Sequence, residues 1–500
     1  MLFSSFSLHS TNVNAEEQVN KSYYVERKSY GTATETDPPR YVKQLNKTWL
    51  GESADLKSID WLDIGLDYRV RYEHRDNDFR RNKDIIDEPI LLRTRVYLGI
   101  RDIIDPLRFA VELADARRNQ SQFSRADDTR DINQAEVIQA YAELYFKSTP
   151  LSHDDNGNAY PLSIRVGRQA LEQLDKRLVA RNTYRNTTNN FTGTRVQIGQ
   201  MKNDWHIDMF AYQPIQRFDL QPDETNDSQH FYGALVHWRK WSQWVTLQPY
   251  YYLLNQDGNK VKYDLNGRIE NNASRKIDRS IHTAGLRGYG SIPDSGWDYD
   301  VNYVRQRGEQ DASLTDKTEI KHEAYAYNAE FGYSFNESWK PRLSAFCGLV
   351  TGDKNPNDRK TERFERLFGF ARPWSNSDTF EMSNLKSTKI RLEFEPQVSF
   401  IKQLKIDTGY NWYRLESDTD SWGPATLRDR TGVSGSDIGR EFDITARFPL
   451  GKQVYTNISY AHFIAGDFTK NAVLIASNNN DPTRRDHSDY LLVQVEINAF

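Results

Sequence analysis

The segment from Leu162 to Gln200 reads LSIRVGRQALEQLDKRLVARNTYRNTTNNFTGTRVQIGQ. Its two ends alternate apolar and polar residues, and a loop rich in arginine and asparagine joins them. Successive side chains of a strand point to opposite faces, so Leu162 and Ile164 share one face and Arg165 lies on the other. Arg195 holds the equivalent polar position in the second end. The pattern predicts two neighbouring strands of a wall that is apolar outside and charged inside.

Segments of this kind recur along most of the chain. The segment WLDIGLDYRVRYEHR, from Trp61, alternates strictly with period two from Leu62 onward. About eighteen such segments can be counted, near residues 61–73, 92–101, 109–113, 138–146, 162–169, 194–200, 204–212, 230–238, 244–254, 280–289, 297–305, 322–335, 341–351, 389–400, 404–414, 441–448, 454–464 and 489–500. An even count is what a single-chain outer-membrane barrel requires.

The composition fits a barrel in a membrane. Aromatic residues reach 13%, with 28 tyrosines, and we expect them to form girdles at the two membrane interfaces. The mean hydropathy of -0.80 agrees with a polar lumen, and no run of about 18 apolar residues exists that could form a transmembrane helix. A closed barrel is the other structure that satisfies its backbone hydrogen bonds in lipid. The net charge of -4 argues against a nucleic-acid partner.

The lengths of the links between segments provide a second test. Links such as 102–106, 201–203, 239–243 and 449–453 are short, and they alternate with long polar links such as 170–193, 306–321 and 352–388. Barrels with tight periplasmic turns and long extracellular loops show this alternation. The predicted fold is therefore all-β, a transmembrane antiparallel β-barrel of about 18 strands in the Gram-negative outer membrane. One of the loops 170–193 and 352–388 is expected to fold into or over its outer mouth.

The chain divides into three predicted parts. Residues 1–15 are a candidate signal peptide of degenerate form, because they end in Val13-Asn14-Ala15 but no basic residue precedes Lys21. Residues 16–58 are polar and are predicted to be a periplasmic lead-in, and residues 59–500 form the barrel.

No catalytic or cofactor site stands out in the sequence. The 10 histidines lack metal-ligand spacing, and nothing resembles a Ser-His-Asp arrangement. Asp353, Asn355 and Asn357 offer a weak calcium possibility, but the spacing departs from an EF-hand loop and favours a turn. We therefore expect no cofactor and no enzyme activity, with an outer-membrane hydrolase as the least favoured alternative.

Several motifs occur in an order that resembles the alginate-export family of outer-membrane barrels. They are RVGRQ from Arg165, DKRLV from Asp175, YRN from Tyr184, FTGTR from Phe191, GDKNP from Gly352, SNL from Ser383, DIGREFD from Asp437 and YAHFIAGDF from Tyr460. Together they cover about residues 60–500. The resemblance implies an eighteen-stranded channel that carries an alginate-like polyuronate outward, with a periplasmic scaffold of a secretion complex as a further partner. The short link Pro449–Gln453 departs from the family, whose members resemble one another in a long turn there that plugs the pore.

The resemblance also implies a substrate path lined by arginine. Inward faces carry Arg69, Arg93, Arg95, Arg165, Arg195 and Arg391, and Arg168, Arg185 and Arg372 lie near loop bases. Guanidinium groups hold carboxylates in bidentate fashion, so such a series would attract a polyuronate. Acidic residues share these faces, so that many of the arginines could instead pair across strands. A porin for small anionic nutrients on the same barrel is the alternative function.

Overall fold

Eighteen long strands form one closed antiparallel sheet in the computed structural model, which describes residues 35–79, 84–123, 129–151, 153–218, 221–239, 242–260, 277–476 and 485–500. In chain order they are β1 Leu62–Asp76, β2 Ile90–Ile104, β3 Leu107–Asn119, β4 Asn133–Phe146, β5 Leu162–Ala170, β6 Asn190–Ile198, β7 Trp205–Gln216, β8 Gln229–Trp238, β9 Thr246–Gln256, β10 Arg279–Ser291, β11 Trp297–Asp311, β12 Glu319–Ser334, β13 Arg342–Val350, β14 Leu385–Phe394, β15 Lys405–Arg414, β16 Asp437–Pro449, β17 Val454–Ala465 and β18 His487–Asn498. Each pairs with the next, and β18 pairs with β1 from Asp489 opposite Asp76 to Asn498 opposite Asp67. The predicted eighteen-stranded barrel is confirmed.

The period-two pattern assigns the two faces of the wall as predicted. Leu98 is 55% exposed on the outside, whereas Glu112 and Glu393 are fully buried inside. Val111, Leu144, Ile207 and Leu392, whose parity predicts that they face lipid, lie on the outer face as well, fully or partly exposed. The alternation of apolar and polar residues identifies the two faces because the outer face contacts lipid, which requires apolar side chains, and the inner face contacts the lumen, which accepts charge. None of the helices in the described ranges has the length and apolarity needed to cross a membrane.

Two predicted boundaries are wrong. The strand expected at 389–400 is Leu385–Phe394, because Pro396 lacks the N–H that would continue the ladder. The link 306–321, expected to be long, is mostly strand: β11 and β12 stay paired up to Asp311 opposite Glu319. Polar residues can extend a hairpin beyond the lipid, where no apolar outer face is required.

Two long loops turn into the barrel. The first inserted loop, residues 171–189, and the second inserted loop, residues 351–384, are joined by backbone hydrogen bonds, such as Phe368 N to Leu178 O at 3.0 Å and Phe370 N to Lys176 O at 3.0 Å. Their apolar side chains pack with inward aromatic residues of the wall, including Phe210 and Phe231. The lumen therefore contains an apolar core beside its charged residues, because part of the aromatic content packs inside the barrel.

The described part of the lead-in belongs to the base of the barrel. A short strand, Val42–Gln44, pairs with β1 opposite Gly65 to Asp63, and the 3-10 helices Leu45–Lys47 and Trp49–Glu52 follow it. Trp49 Nε1 donates to the carbonyl of Ala499 at 2.8 Å, and its ring stacks on Phe500 at 6.3 Å. The two described ends of the chain therefore meet at the end of the barrel that carries the short turns.

Candidate functional site in the barrel lumen

The lumen contains a cavity of about 880 Å³. Short-turn residues such as Pro161 and Gly199 line one end of it, and residues 174–177 and Arg372 of the inserted loops line the other. Ten basic and eight acidic side chains of the described residues surround the cavity. The wall supplies six of the basic ones: Arg165, Arg195, Arg287, Lys389, Arg391 and Arg447. The cavity is thus a polar, mildly cationic space that lies between the short-turn end and the inserted loops.

Arg69 and Arg93 hold the first inserted loop against the wall. The Nη1 of Arg69 donates to the carbonyls of Thr183 at 2.9 Å and Tyr184 at 3.1 Å, and its Nη2 donates to the Arg185 carbonyl at 2.8 Å and Asn186 Oδ1 at 2.9 Å. Arg93 Nη1 donates to the same Thr183 carbonyl at 2.9 Å. Both guanidinium groups are almost completely buried.

Side chains of the first inserted loop add further contacts with the wall. Asn186 Nδ2 lies within hydrogen-bond distance of the Leu92 carbonyl at 3.0 Å and the Asp131 carbonyl at 2.9 Å. Arg181 Nη2 donates to Glu112 Oε2 at 2.6 Å. The loop is therefore anchored from both directions, by arginines of the wall and by its own polar side chains.

The second inserted loop is fastened to β16. The hydroxyls of Ser375 and Ser377 donate to Glu441 Oε2 at 2.8 and 2.6 Å, and Asn376 Nδ2 donates to Asp443 Oδ1 at 2.7 Å. These contacts pair small hydroxyl and amide groups of a loop with two buried carboxylates of a strand. Together with the backbone bonds between the loops, they make the inserted loops one connected structure.

Arg185 and Arg372 link the two inserted loops. Arg185 Nε donates to Asp378 Oδ2 at 3.3 Å. Arg372 lies over the Tyr184 ring at 4.1 Å and donates to Ser459 Oγ at 3.3 Å. Of these two predicted path residues, Arg372 lines the cavity.

Four other predicted path residues do not line the cavity. Arg69 and Arg93 are occupied by the loop, and Arg95 donates to Asp67 Oδ1 at 2.7 Å and lies over the Tyr41 ring at 4.5 Å. Arg168 lies two residues after the exposed Val166 and therefore shares its outward face of β5. Its Nη1 donates to the Val137 carbonyl at 2.9 Å, away from the lumen. These four guanidinium groups are held by protein groups outside the cavity, and their place on a substrate path stays a prediction.

Arg165 and Arg195 come together as the sequence predicts. They are register partners on β5 and β6 and both line the cavity. Arg165 Nε donates to Glu143 Oε1 at 2.8 Å. Arg195 Nε and Nη2 donate to the two oxygens of Asp208 at 2.9 and 2.7 Å. Both arginines therefore pair with acidic residues of neighbouring strands, which the sequence left open as an alternative to a role on the substrate path. This pairing orients each guanidinium group.

Arg391 lies in a second basic group of the wall. Its Nε is 3.3 Å from Asp407 Oδ1, and Arg447 Nη1 is 3.7 Å from Asp407 Oδ2. Lys389 Nζ is 3.1 Å from Asp443 Oδ2. Two guanidinium groups thus share one carboxylate, which concentrates positive charge on this side of the cavity.

Sequence reasoning missed several basic residues of the cavity. Arg287 and Arg447 have inward parity on their strands, so a complete reading of the alternation would have found them. Lys176 and Arg177 lie on the first inserted loop and Arg40 precedes the barrel. No periodic pattern marks these last three positions.

The calcium candidate forms a turn. Asn357 N donates to Asn355 Oδ1 at 3.2 Å, and Asp353 N donates to Asp420 Oδ2 at 2.9 Å. Within the described residues, no group of three or more histidine, cysteine, aspartate or glutamate side chains is placed to hold a metal ion.

Solved structures share this fold. Acinetobacter baumannii OccAB2 aligns with a TM-score of 0.52 at 12% identity, covering 87% of this chain and 97% of that chain. Pseudomonas aeruginosa OpdQ aligns with a TM-score of 0.52 at 13% identity, covering 88% and 98%. The outer membrane protein opdK from Pseudomonas aeruginosa aligns with a TM-score of 0.51 at 10% identity, covering 87% and 98%. At these identities the similarity shows the fold alone.

The sequence comparisons identify the family. None of the curated proteins is similar enough to this sequence to count as a match. The family model described as Alginate export matches residues 60–481, which is nearly the whole barrel. The protein is therefore a multi-pass outer-membrane channel, and the chain belongs to the alginate export family.

Proposed function

We propose that this channel conducts an anionic polysaccharide, an alginate-like polyuronate, from the periplasm to the exterior. The observation that carries the proposal is the cavity, where basic side chains outnumber acidic ones although the whole chain has a net charge of -4. Arg391 and Arg447, which share Asp407, are the clearest local excess of positive charge. A periplasmic scaffold that delivers the polymer is part of this proposal.

The arrangement suits passage rather than tight capture. A guanidinium remains charged at all relevant pH values and matches a carboxylate in shape. Arginines on opposite parts of the wall and on the inserted loops provide several weak contacts in series, and weak contacts in series allow an ion to leave as well as enter. Charges act over about 8 Å at physiological salt, so selection depends on the part of the lumen that the inserted loops narrow.

A channel for small anionic nutrients is the second candidate. The cavity volume of about 880 Å³ favours it, because binding sites for small molecules commonly have volumes of about 300–1,000 Å³. Oligouronates of increasing length distinguish the two functions. In a polymer channel, the current should stay blocked for longer as the oligomer becomes longer, and each oligomer should then cross. A nutrient channel should pass the monomer, whereas the oligomers should block its current without crossing.

Reversal potentials in planar bilayers test the charge of the path. We expect the wild-type channel to prefer anions, and the preference should decrease as salt rises. The variant Arg447→Gln leaves Asp407 paired with Arg391, and it should lower the anion-to-cation permeability ratio about twofold to fourfold at low salt. A neutral replacement is preferable to glutamate at Arg165 or Arg195, because glutamate there would leave Glu143 or Asp208 uncompensated.

The control for this experiment is Arg440→Gln. Arg440 is exposed on the outer face of β16, in register with the outward Trp412. This variant should keep the wild-type permeability ratio. Cation preference in the wild-type channel would overturn the proposed function.

A further inference from the structure

We propose that the N-terminal segment, residues 35–41, is an internal ligand of the lumen, and that its Asp37 fills a carboxylate subsite formed by Arg165 and Arg195. The inference rests on the proposed function, because it names the place where the carboxylate of a uronate binds. It also adds a step: a uronate must displace Asp37 to occupy the subsite.

The geometry of the two arginines points to a built carboxylate site. Nη1 of Arg195 donates to Asp37 Oδ2 at 3.3 Å, and Nη1 of Arg165 donates to the same oxygen at a shorter distance. Glu143 accepts from Nε of Arg165, and Asp208 accepts from Nε and Nη2 of Arg195. The wall carboxylates therefore orient both guanidinium groups so that one N–H group of each converges on a single oxygen inside the lumen.

The N-terminal segment is seated by its other end. Tyr41 is 3% exposed, its hydroxyl donates to Glu112 Oε1 at 2.7 Å, and the Arg95 guanidinium covers its ring. A Cβ atom at Gly65 would lie 2.8 Å from that ring, so the glycine makes the space that Tyr41 occupies. The segment therefore lies in a prepared position on β1 and β3, and from there it reaches β5 and β6.

The N-terminal segment also contacts the first inserted loop. The amide of Glu35 donates to Glu172 Oε1 at 2.5 Å, and both residues line the cavity with Asp37. The segment thus connects the base of the wall, the arginine pair and the inserted loop. A polymer that enters from the short-turn end meets this connection before it reaches the loop.

The Asp37 carboxylate has the same chemistry as the carboxylate of a uronate. Its side chain is 37% exposed, so water and solutes in the cavity can reach it. A tethered group competes at an effective concentration of about millimolar, which is enough to occupy a weak site and still permit exchange. We therefore expect the segment to exclude weak or isolated anions and to yield to a polyanion that binds at several places.

The test compares Asp37→Asn with Asp55→Asn in the full-length channel. Asp55 is an exposed acid of the same lead-in outside the cavity, so it is a matched control for the change of charge. The ligand is a trigalacturonate added on the short-turn side of a planar bilayer, and the readout is the concentration that blocks half of the current. Asp37→Asn should lower this concentration at least about fivefold because the internal competitor is lost. Asp55→Asn should match the wild type.

A second variant separates the position of the segment from its charge. Gly65→Leu places a side chain where the Tyr41 ring lies, so it should displace the segment and lower the half-blocking concentration in the same way without altering any charge. Equal half-blocking concentrations for the wild type, Asp37→Asn and Gly65→Leu, in an anion-selective channel that trigalacturonate blocks, would overturn this inference and leave the proposed function intact. A cation-selective wild type that trigalacturonate does not block would overturn both.

Discussion

Replacing Arg69 with methionine should loosen the first inserted loop. The Arg69 guanidinium makes four hydrogen bonds to the loop, three to carbonyls of residues 183–185 and one to the Asn186 side chain. Methionine fills a similar volume but donates no hydrogen bond. The barrel itself should remain, because these four contacts join the loop to the wall and not one strand to another.

The size of the effect follows from these contacts. A hydrogen bond to a charged group contributes about 1.5–3 kcal/mol, but the four contacts are not additive and water can solvate the released carbonyls. A loss of about 3 kcal/mol raises the ratio of detached to attached loop roughly a hundredfold. Arg93, Arg181 and the backbone bonds to the second inserted loop still hold, so that attachment should be weakened and not abolished.

Single-channel recording in planar bilayers measures this change. Arg69→Met should show more frequent and longer high-conductance events than the wild type, and Arg440→Met, a change of the same kind on the outer face, should not. Asn186→Ala approaches the same contact from the loop and should act in the same direction. If Arg69→Met and Asn186→Ala kept the wild-type current and fluctuations while their barrels remained heat-modifiable on gels, the assignment of Arg69 as an anchor of the loop would be refuted.

Two further predictions concern the wall and an outer loop. Leu98→Arg places a charge on the lipid-facing side of β2 and should lower the free energy of unfolding by about 2–4 kcal/mol. Gln197→Arg places a charge in the cavity and should change this free energy by less than about 0.5 kcal/mol. Denaturant titrations measure both values, and equal losses would contradict the assignment of faces. Burial raises the pKa of Asp223, in the link after β7, from 3.8 to about 6, so its contribution to stability is present below about pH 4 and is lost as the pH rises through 6. Asp223→Asn should therefore raise the thermal midpoint at pH 8 and leave it almost unchanged at pH 4, and a decrease at pH 8 would show that the charged carboxylate stabilises the loop.

The sequence alone determined the wall of this protein. Alternation with period two reports which side of each strand meets lipid, because every apolar outer position carries the same physical requirement along the whole strand. The same alternation placed Arg165 and Arg195 on one inward face, and the links between strands predicted their antiparallel neighbourhood. The order of the motifs indicated the family. These features depend on local patterns of a few residues, which a single sequence displays directly.

The tertiary structure decided what fills the lumen. Whether an inward arginine meets solute or protein depends on partners far away in the chain: Arg69 meets residues 183–186, and Arg165 meets Asp37. The inserted loops and the N-terminal segment have no periodic pattern, since their positions follow from individual hydrogen bonds and aromatic contacts. The alternation along each strand therefore identifies the residues that point inward. Long-range contacts, which form when the barrel closes around the loops, determine which guanidinium groups remain available to a ligand.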